Sequence, residues 1–562
     1  MKNITSLIIA LLFPLFLAAQ PKTEIRAVWL TTNYALDWPG TDKNATTQKR
    51  NLQNILDKLQ AININTIIFQ VQCRSDVFWE SQYQPWSRHI TGTANKKPDY
   101  DVLQFVIDEC HARNMEVHAW VVPYPLGSTS VASLIGSAHT SVKYPNLCLL
   151  HSGEWYLDPG LPETTTFLIN LYSELVEKYD FDGINLDYTR YSGSDFPDDS
   201  SYSKYGGGMT KANWRRKNIN TFVHALYDMV QQKKPGMKLG AAPIGAYESL
   251  PNASSGFTAY THLYQDPVEW MSAGKLDLAA PQVYWTAGYE PHLTNWIKKS
   301  NGRPIIAGLA AYKMLASESD WAASVITGQI TTARNVNADG ICFFRSDQIT
   351  SNLKGLYDNL KANQFKYPAN IPPMDWYGVT KPNVPQNVNI SNKAGNTYTI
   401  SWDTPALNGG TAIRYYSVYM GSSADIDIRD VKNLAAHYVK GNSVDYTLPD
   451  PTKNYFFTVT AFDKGYYESN ISEVVSTQGT STWNSVPKPE VLLTLNNNEL
   501  TINADISIKT VQIYAVNGML QNSISCNQHH LTMDINSIGQ GVYIVVAGLE
   551  DGSVVKQKIV KL

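Results

Sequence analysis

Between residue 24 and about residue 365 the chain alternates short apolar runs with longer amphipathic stretches. The runs are IRAVWLTT (25–32), NTIIFQVQC (65–73), EVHAWVV (116–122), DGINLDY (182–188), KLGAAPI (238–244), LDLAAPQVYW (276–285), PIIAGLA (304–310) and GICFFRS (340–346). Each has the length and apolar content of a buried strand. The intervening stretches include NLQNILDKLQAI (51–62), YDVLQFVIDECHARN (100–114), ETTTFLINLYSELVEKY (163–179), NTFVHALYDMVQQ (220–232) and, last, SNLKGLYDNLKANQ (351–364). They repeat apolar residues every three or four positions, the period of a helix with one buried face. Eight such strand-then-helix units predict an α/β fold, a (β/α)8 TIM barrel over residues 21–378. A doubly wound open sheet is the alternative. The count of eight and the lack of a glycine-rich phosphate fingerprint weigh against it.

Past the proline-rich YPANIPPMDWYGVTKPNVP the period changes to two. TYTISWD, YYSVYMGSS and NYFFTVTAFDKGYYES, over residues 379–478, resemble a fibronectin type III domain. Trp402 is its expected core tryptophan and Tyr455 its corner tyrosine. A spacer role is preferred for it over glycan binding. GTSTWNSVPKPE is a second linker. The segment 489–562, with VQIYAVNGMLQNS, LTMDINSIGQGVYIVVA and KQKIVKL, resembles the C-terminal sorting domain of type IX secretion substrates in Bacteroidetes. That resemblance implies an export machinery as partner. The bland alternative is one more small β-sandwich with an Asn-Gly hairpin. The architecture expected is a barrel followed by two small all-β sandwich domains.

Composition adds a compartment and removes some partners. Lys2 followed by LIIALLFPLFLAA reads as a signal peptide over residues 1–20. The run is short and holds Pro14, so no membrane-spanning anchor is expected. The protein is expected to be exported, to the cell surface or the medium, with the periplasm as alternative. Lys plus Arg number 46 against 49 Asp plus Glu, which gives no hint of nucleic acid as partner. Five scattered cysteines do not suggest a disulfide framework, and no Cys/His spacing fits a metal site. No cofactor is expected. The 14 Trp and 33 Tyr suit sugar faces as well as cores.

The chemistry is sharpest in FDGINLDYTRY (181–191). Alternation puts Ile184, Leu186 and Tyr188 toward the helix layer, and Gly183, Asn185, Asp187 and Thr189 toward the barrel axis. Barrels place their sites at the C-terminal ends of strands. A carboxylate there is costly to bury unless paired or wet. Asp187 is therefore the leading catalytic candidate, as nucleophile or base, with its acid partner expected from another strand. The alternative is an aspartate neutralised by Arg74 or Arg190. The string also resembles the Asp-Gly-x-Asp-x-Asp-x-Glu motif of family 18 chitinases. Asn185 and Thr189 stand where that motif has Asp and its acid Glu, so this strand cannot supply that acid.

A wider resemblance covers about residues 24–365. EIRAVWLTTNYALDWPG, FQVQCRSDVFWESQYQPWS, HAWVVPY, YLDPG, YDFDGINLDYTRY and APQVYW occur in this order. Together they are similar to the glycosyl-hydrolase-like 10 family. The resemblance implies hydrolysis of a glycan, with bacterial cell-wall strands as one substrate class. One departure is Val122-Pro123-Tyr124-Pro125, where relatives often carry Asn-Pro-Tyr-Arg.

Glycoside hydrolysis generally takes two carboxyl groups. Asp76 and Asp37 match the family motifs and join Asp187 as catalytic candidates. A helix cap or Arg74 partner is the alternative for Asp76, and a turn cap for Asp37. Asp158 suits a turn or cap equally well. Arg74, Gln72, Trp38, Trp79, Tyr124, Asn185, Arg190, Gln282, Tyr284 and Trp285 are the substrate-binding candidates. The function expected is an exported glycoside hydrolase acting on a polysaccharide. A catalytically inactive glycan-binding barrel is the alternative, and a metal-dependent deacetylase a third reading without visible ligand spacing.

Overall fold

The computed structural model describes residues 20–561 except 254, 378–379, 409–411, 479–490, 497, 517 and 551–552. The expected signal peptide therefore lies outside the described residues, apart from Gln20. Eight parallel strands alternate with helices: β1 Ile25–Leu30, β2 Thr66–Gln70, β3 Glu116–Val121, β4 Gly183–Leu186, β5 Lys238–Ala241, β6 Leu278–Ala279, β7 Ile306–Leu309 and β8 Gly340–Phe344. Neighbours in sequence are neighbours in the sheet, and β8 pairs with β1. Bridges Ala279↔Ile305 and Gln282↔Gly308 close the ring between β6 and β7. This is the (β/α)8 barrel that the alternation of periods predicts.

Helix starts are written locally. In α1 (Ala45–Gln60) the Asn44 side chain accepts from the amides of Thr46 and Thr47. In α2 (Val102–Ala112) Asp101 accepts from Gln104. α3 (Pro162–Lys178) opens on a proline, whose missing N–H costs nothing in a first turn. α1 buries Leu52, Leu56 and Leu59, the stripe its period predicts.

Two apolar clusters build the barrel. Ile184 and Leu186 face the helix layer. Trp29, Ile68, Trp120, Leu278 and Ile306 fill the interior. The interior cluster continues into Tyr415, Phe462 and Tyr466 of the next domain.

That domain is a two-sheet antiparallel sandwich. One sheet orders β9 (Gln386–Ala394), β10 (Thr397–Asp403) and β13 (Ser443–Thr447). The other orders β12 (Leu434–Val439), β11 (Ile413–Gly421), β14 (Phe456–Asp463) and β15 (Val475–Ser476). Trp402 packs on Tyr416 in its core, with Tyr455 in the same cluster. The preferred expectation of a spacer needs correction, because the sandwich docks directly on the N-terminal end of the barrel. Tyr466 donates its hydroxyl to Glu116, and Arg414 pairs with Asp182 at 3.3 Å.

The last strands are β16 (Val491–Asn496), β17 (Glu499–Ala515), β18 (Leu520–Asp534), β19 (Gly541–Leu549) and β20 (Val554–Lys561). The first part of the long β17 pairs with β16 and its last part with β19, while β18 runs beside both. Leu500, Ile502, Val511 and Val545 form a separate core.

Candidate functional site

The C-terminal end of β4 carries the feature on which the rest is arranged. Trp120 of β3 lies beside Asn185, and His118 beside Gly183. Gly183 is required there, since a Cβ would come within 2.9 Å of His118 Nδ1. Asn185 is fully buried, and its amide makes no hydrogen bond to protein. One step further, the Asp187 amide donates to Val121 O at 3.0 Å.

The Asp187 carboxylate is 5 % exposed. Oδ1 accepts from the Tyr188 amide at 2.8 Å and from Gln282 Nε2 at 3.2 Å. Gln282 is held in turn by donating to Ala242 O at 3.0 Å. The Trp120 indole N–H faces the carboxylate without a fully formed hydrogen bond. Burial pushes the Asp187 carboxyl above its ordinary range; Arg190 and these donors oppose the shift without cancelling it. A carboxyl tuned in this way can hold a proton to higher pH than an exposed aspartate.

Tyr188 corrects the alternation. The strand ends at Leu186, and Tyr188 turns with φ 49°, so its ring is 48 % exposed at the mouth instead of packing on helices. Arg190 stacks on this ring at 4.4 Å. Thr189, past the break, is buried, and its hydroxyl donates to the Asp187 carbonyl at 3.4 Å.

Around Asp187 stands an aromatic wall. Phe344 packs on Trp120, Tyr284 and Tyr312 with centroids 6.3, 6.2 and 5.6 Å apart. Opposite runs a three-stranded ribbon of Pro125–Ser128, Glu154–Leu157 and Cys148–His151, inserted after β3. It brings Glu154 to Arg74 at 2.8 Å, and the Tyr156 hydroxyl donates to Glu154 at 3.3 Å. Arg74 adjoins Cys73, whose buried thiol is pushed up to about 12, chiefly by desolvation and in part by Asp76 and Asp187. Tyr34, Arg74 and Tyr188 project from backbone at φ 53°, 57° and 49°. Such conformations cost about 1–3 kcal/mol each and cluster at functional sites.

The other candidates divide between the mouth and the framework. Asp76 lies in a short hairpin, buried, with its carboxyl raised to about 7 by desolvation against the Ser87 hydroxyl and Arg88. Asp37 accepts from the Thr31 amide at 3.0 Å and is ion-paired with Arg345, which ties the loop after β1 to that after β8. Asp158 accepts from the Gly160 amide at 2.8 Å, a turn role. Gln72 is spent inside: its oxygen accepts from Val122 N at 2.7 Å and its nitrogen donates to Gln84 at 3.2 Å. Trp38 and Trp79 are fully buried, their indoles donating to Gln48 O at 2.9 Å and Glu174 at 3.2 Å. Tyr124 is buried against Phe222. Trp285 is half-buried beside His292. Arg74, Arg190, Gln282 and Tyr284 do gather around Asp187. Glu154, Tyr156, Phe344, Tyr312 and Tyr34 went unselected. For Glu154 the signal available was the strand-like EWYL (154–157), which runs into YLDPG (156–160).

The fold is thus a closed parallel barrel whose C-terminal mouth holds a buried carboxyl among aromatic rings. Residues 24–322 match the Glycosyl hydrolase-like 10 family, and the chain belongs to it. It is 30% identical over 488 residues to glycosyl hydrolase YngK of Bacillus subtilis, across 82% of this chain and 94% of that one. It is 32% identical over 338 residues to glycosyl hydrolase DigH of Escherichia coli, across 54% of this chain and 77% of the relative. Among solved structures, the PgaB (BpsB) glycoside hydrolase domain of Bordetella bronchiseptica aligns with TM-score 0.43 and 15% identity, over 60% of this chain and 99% of that domain.

Proposed function

We propose that the protein is an exported glycoside hydrolase that cleaves a polysaccharide, with bacterial cell-wall glycan strands as the leading substrate class. The observation that carries this is Asp187, a desolvated carboxyl at a strand end, held by Gln282 and Tyr188 and open to an aromatic-walled mouth. Its raised proton affinity suits the proton donor to a leaving oxygen. Glu154, half-exposed and ion-paired with Arg74, is the second carboxyl, acting as base or nucleophile from the ribbon. Asp76, whose carboxyl burial also raises, is less suited, because Ser87 and Arg88 already hold it. Tyr34 and Tyr188 offer exposed rings for sugar faces. Export rests on the N-terminal charged and apolar pattern and on the resemblance of residues 489–562 to a sorting domain.

The test is reducing-end release from a glycan panel that includes peptide-free peptidoglycan strands. Asp187→Asn and Glu154→Gln are each expected to lower the rate at least about a hundredfold. If Asp187 is the acid, kcat/KM falls as pH rises through its elevated pKa, and Asp187→Asn removes that limb. Full activity in Asp187→Asn refutes the assignment. Binding without hydrolysis by the unmodified protein means a glycan-binding barrel.

A further inference from the structure

The chain holds 14 Trp, 33 Tyr and 16 Phe. Among the described residues only Tyr34, Tyr188, Phe257 and Tyr260 are exposed; the other rings are buried or half-buried. Single exposed apolar residues are ordinary on a protein surface. Their placement here is not. Tyr34 follows β1, Tyr188 follows β4, and Phe257 and Tyr260 lie within residues 242–266, which follow β5. All four therefore stand on the C-terminal rim of the barrel, the end that carries Asp187.

Tyr34 and Tyr188 belong to the mouth already described. Phe257 and Tyr260 belong to the next loop, which is fastened to the Tyr188 turn. The Tyr191 amide donates to Leu263 O at 3.1 Å, and Gln265 Nε2 donates to Thr189 O at 3.2 Å.

Both rings are braced. Phe257 is 60 % exposed and meets the His262 ring edge-on at 6.1 Å. His262 Nδ1 accepts from the Thr258 amide at 3.1 Å and lies 2.9 Å from its hydroxyl. Tyr260 is 36 % exposed, and its amide donates to Tyr247 O at 3.0 Å. Arg216 lies 4.2 Å over the Tyr260 ring and donates to Tyr260 O at 3.1 Å and to Asn213 Oδ1 at 2.6 Å. Rings already held in place lose little freedom when a ligand lands on them. Apolar faces beside a fixed polar group suit a pyranose, whose C–H face covers a ring while its hydroxyls reach the polar edge.

Resting on the reading of the mouth as a glycan-cleaving site, we propose that Phe257 and Tyr260 are a distal platform for sugar rings of the same glycan chain. The preferred substrate is then a long strand that reaches both Asp187 and the platform, not a short oligosaccharide. Two contacts on one strand reinforce each other as linked binding modules do.

Surface plasmon resonance on the immobilised full chain tests this. The probes are long peptide-free peptidoglycan strands and the tetrasaccharide cut from them, and fresh strand in the flow replaces any that is cleaved. The strands are expected to bind at least about tenfold more tightly than the tetrasaccharide, and Phe257→Ala with Tyr260→Ala to weaken strand binding at least about fivefold. The same double variant leaves the tetrasaccharide affinity and the thermal unfolding transition unchanged. Tyr260→Phe keeps the ring and the affinity, whereas Phe257→Leu loses affinity as Phe257→Ala does. The proposal is overturned by strand affinity that the double alanine variant leaves intact, by an equal loss for strand and tetrasaccharide, by a Phe257→Leu chain that binds like the unmodified one, or by no strand binding at all. Loss of strand affinity in the alanine variant with full activity in Asp187→Asn refutes the mouth assignment alone. Intact strand affinity with activity abolished in Asp187→Asn refutes the platform alone.

Discussion

Lys238→Met tests how much the buried ion pair between β5 and β3, at the barrel's junction with the sandwich, contributes to stability. Lys238 Nζ lies 2.6 Å from Glu116 Oε1, with side chains 4% and 3% exposed, so solvent screens the pair little. At an effective dielectric of about 20 the gross attraction is about 6 kcal/mol, most of it offset by desolvation. Removing the ammonium leaves Glu116 with His118 at 3.0 Å and the Tyr466 hydroxyl. Stranding one member of a buried pair costs about 3–5 kcal/mol, which is the loss expected for Lys238→Met. Glu116→Gln with Lys238→Met removes both charges, and is expected to recover at least about 2 kcal/mol of it, as coupling between contacting groups predicts. Urea unfolding followed by tryptophan fluorescence reads both numbers. The pair also has a pH signature. Its partners hold the Glu116 carboxyl below its ordinary range against burial. Its contribution is therefore complete above the unfolded value of about 4.3 and is lost as pH falls below it. The double variant should lack that acid loss. A loss under about 1 kcal/mol in Lys238→Met, or no recovery in the double variant, would refute the reasoning.

Three further outcomes follow from other parts of the molecule. Asp37→Asn leaves Arg345 without its buried counter-ion; it should lower the unfolding free energy by about 3–5 kcal/mol, read as an earlier urea midpoint. Cys73, half-buried and with its thiol pushed up to about 12 by desolvation, should resist a disulfide reagent at pH 8 until the protein unfolds, as mass spectrometry of the labelled chain would show. A chain ending at residue 378 exposes the interior cluster that Tyr415, Phe462 and Tyr466 cover, and should aggregate on expression where the full chain stays soluble in a sedimentation assay.

The barrel was legible because each strand is a short, buried apolar run and each helix repeats apolar residues every three or four positions, and both are local properties. Asp187 was legible for the same reason, as the inward position at the end of a counted strand. Tyr188 was not, because a left-handed turn after Leu186 breaks the alternation. Trp38 and Trp79 show the limit from another side: a tryptophan at a strand end reads alike in sequence whether it is buried on Gln48 or open to a ligand. Glu154 was hidden in a ribbon whose strands are four residues long, too short to carry a period. The docking of the sandwich depends on partners such as Glu116 and Tyr466, 350 positions apart, and no local pattern reports such a pairing.

The docked sandwich makes the barrel asymmetric in what it can become. The turns leading into β3, β4 and β5 (residues 114–116, 180–182 and 236–238) face another domain, so lengthening them would pry apart a filled junction. Among the described residues the loops at the other rim pack on no second domain, and one of them holds the ribbon that carries Glu154. Insertions, and with them new specificities, have one end of this protein open to them.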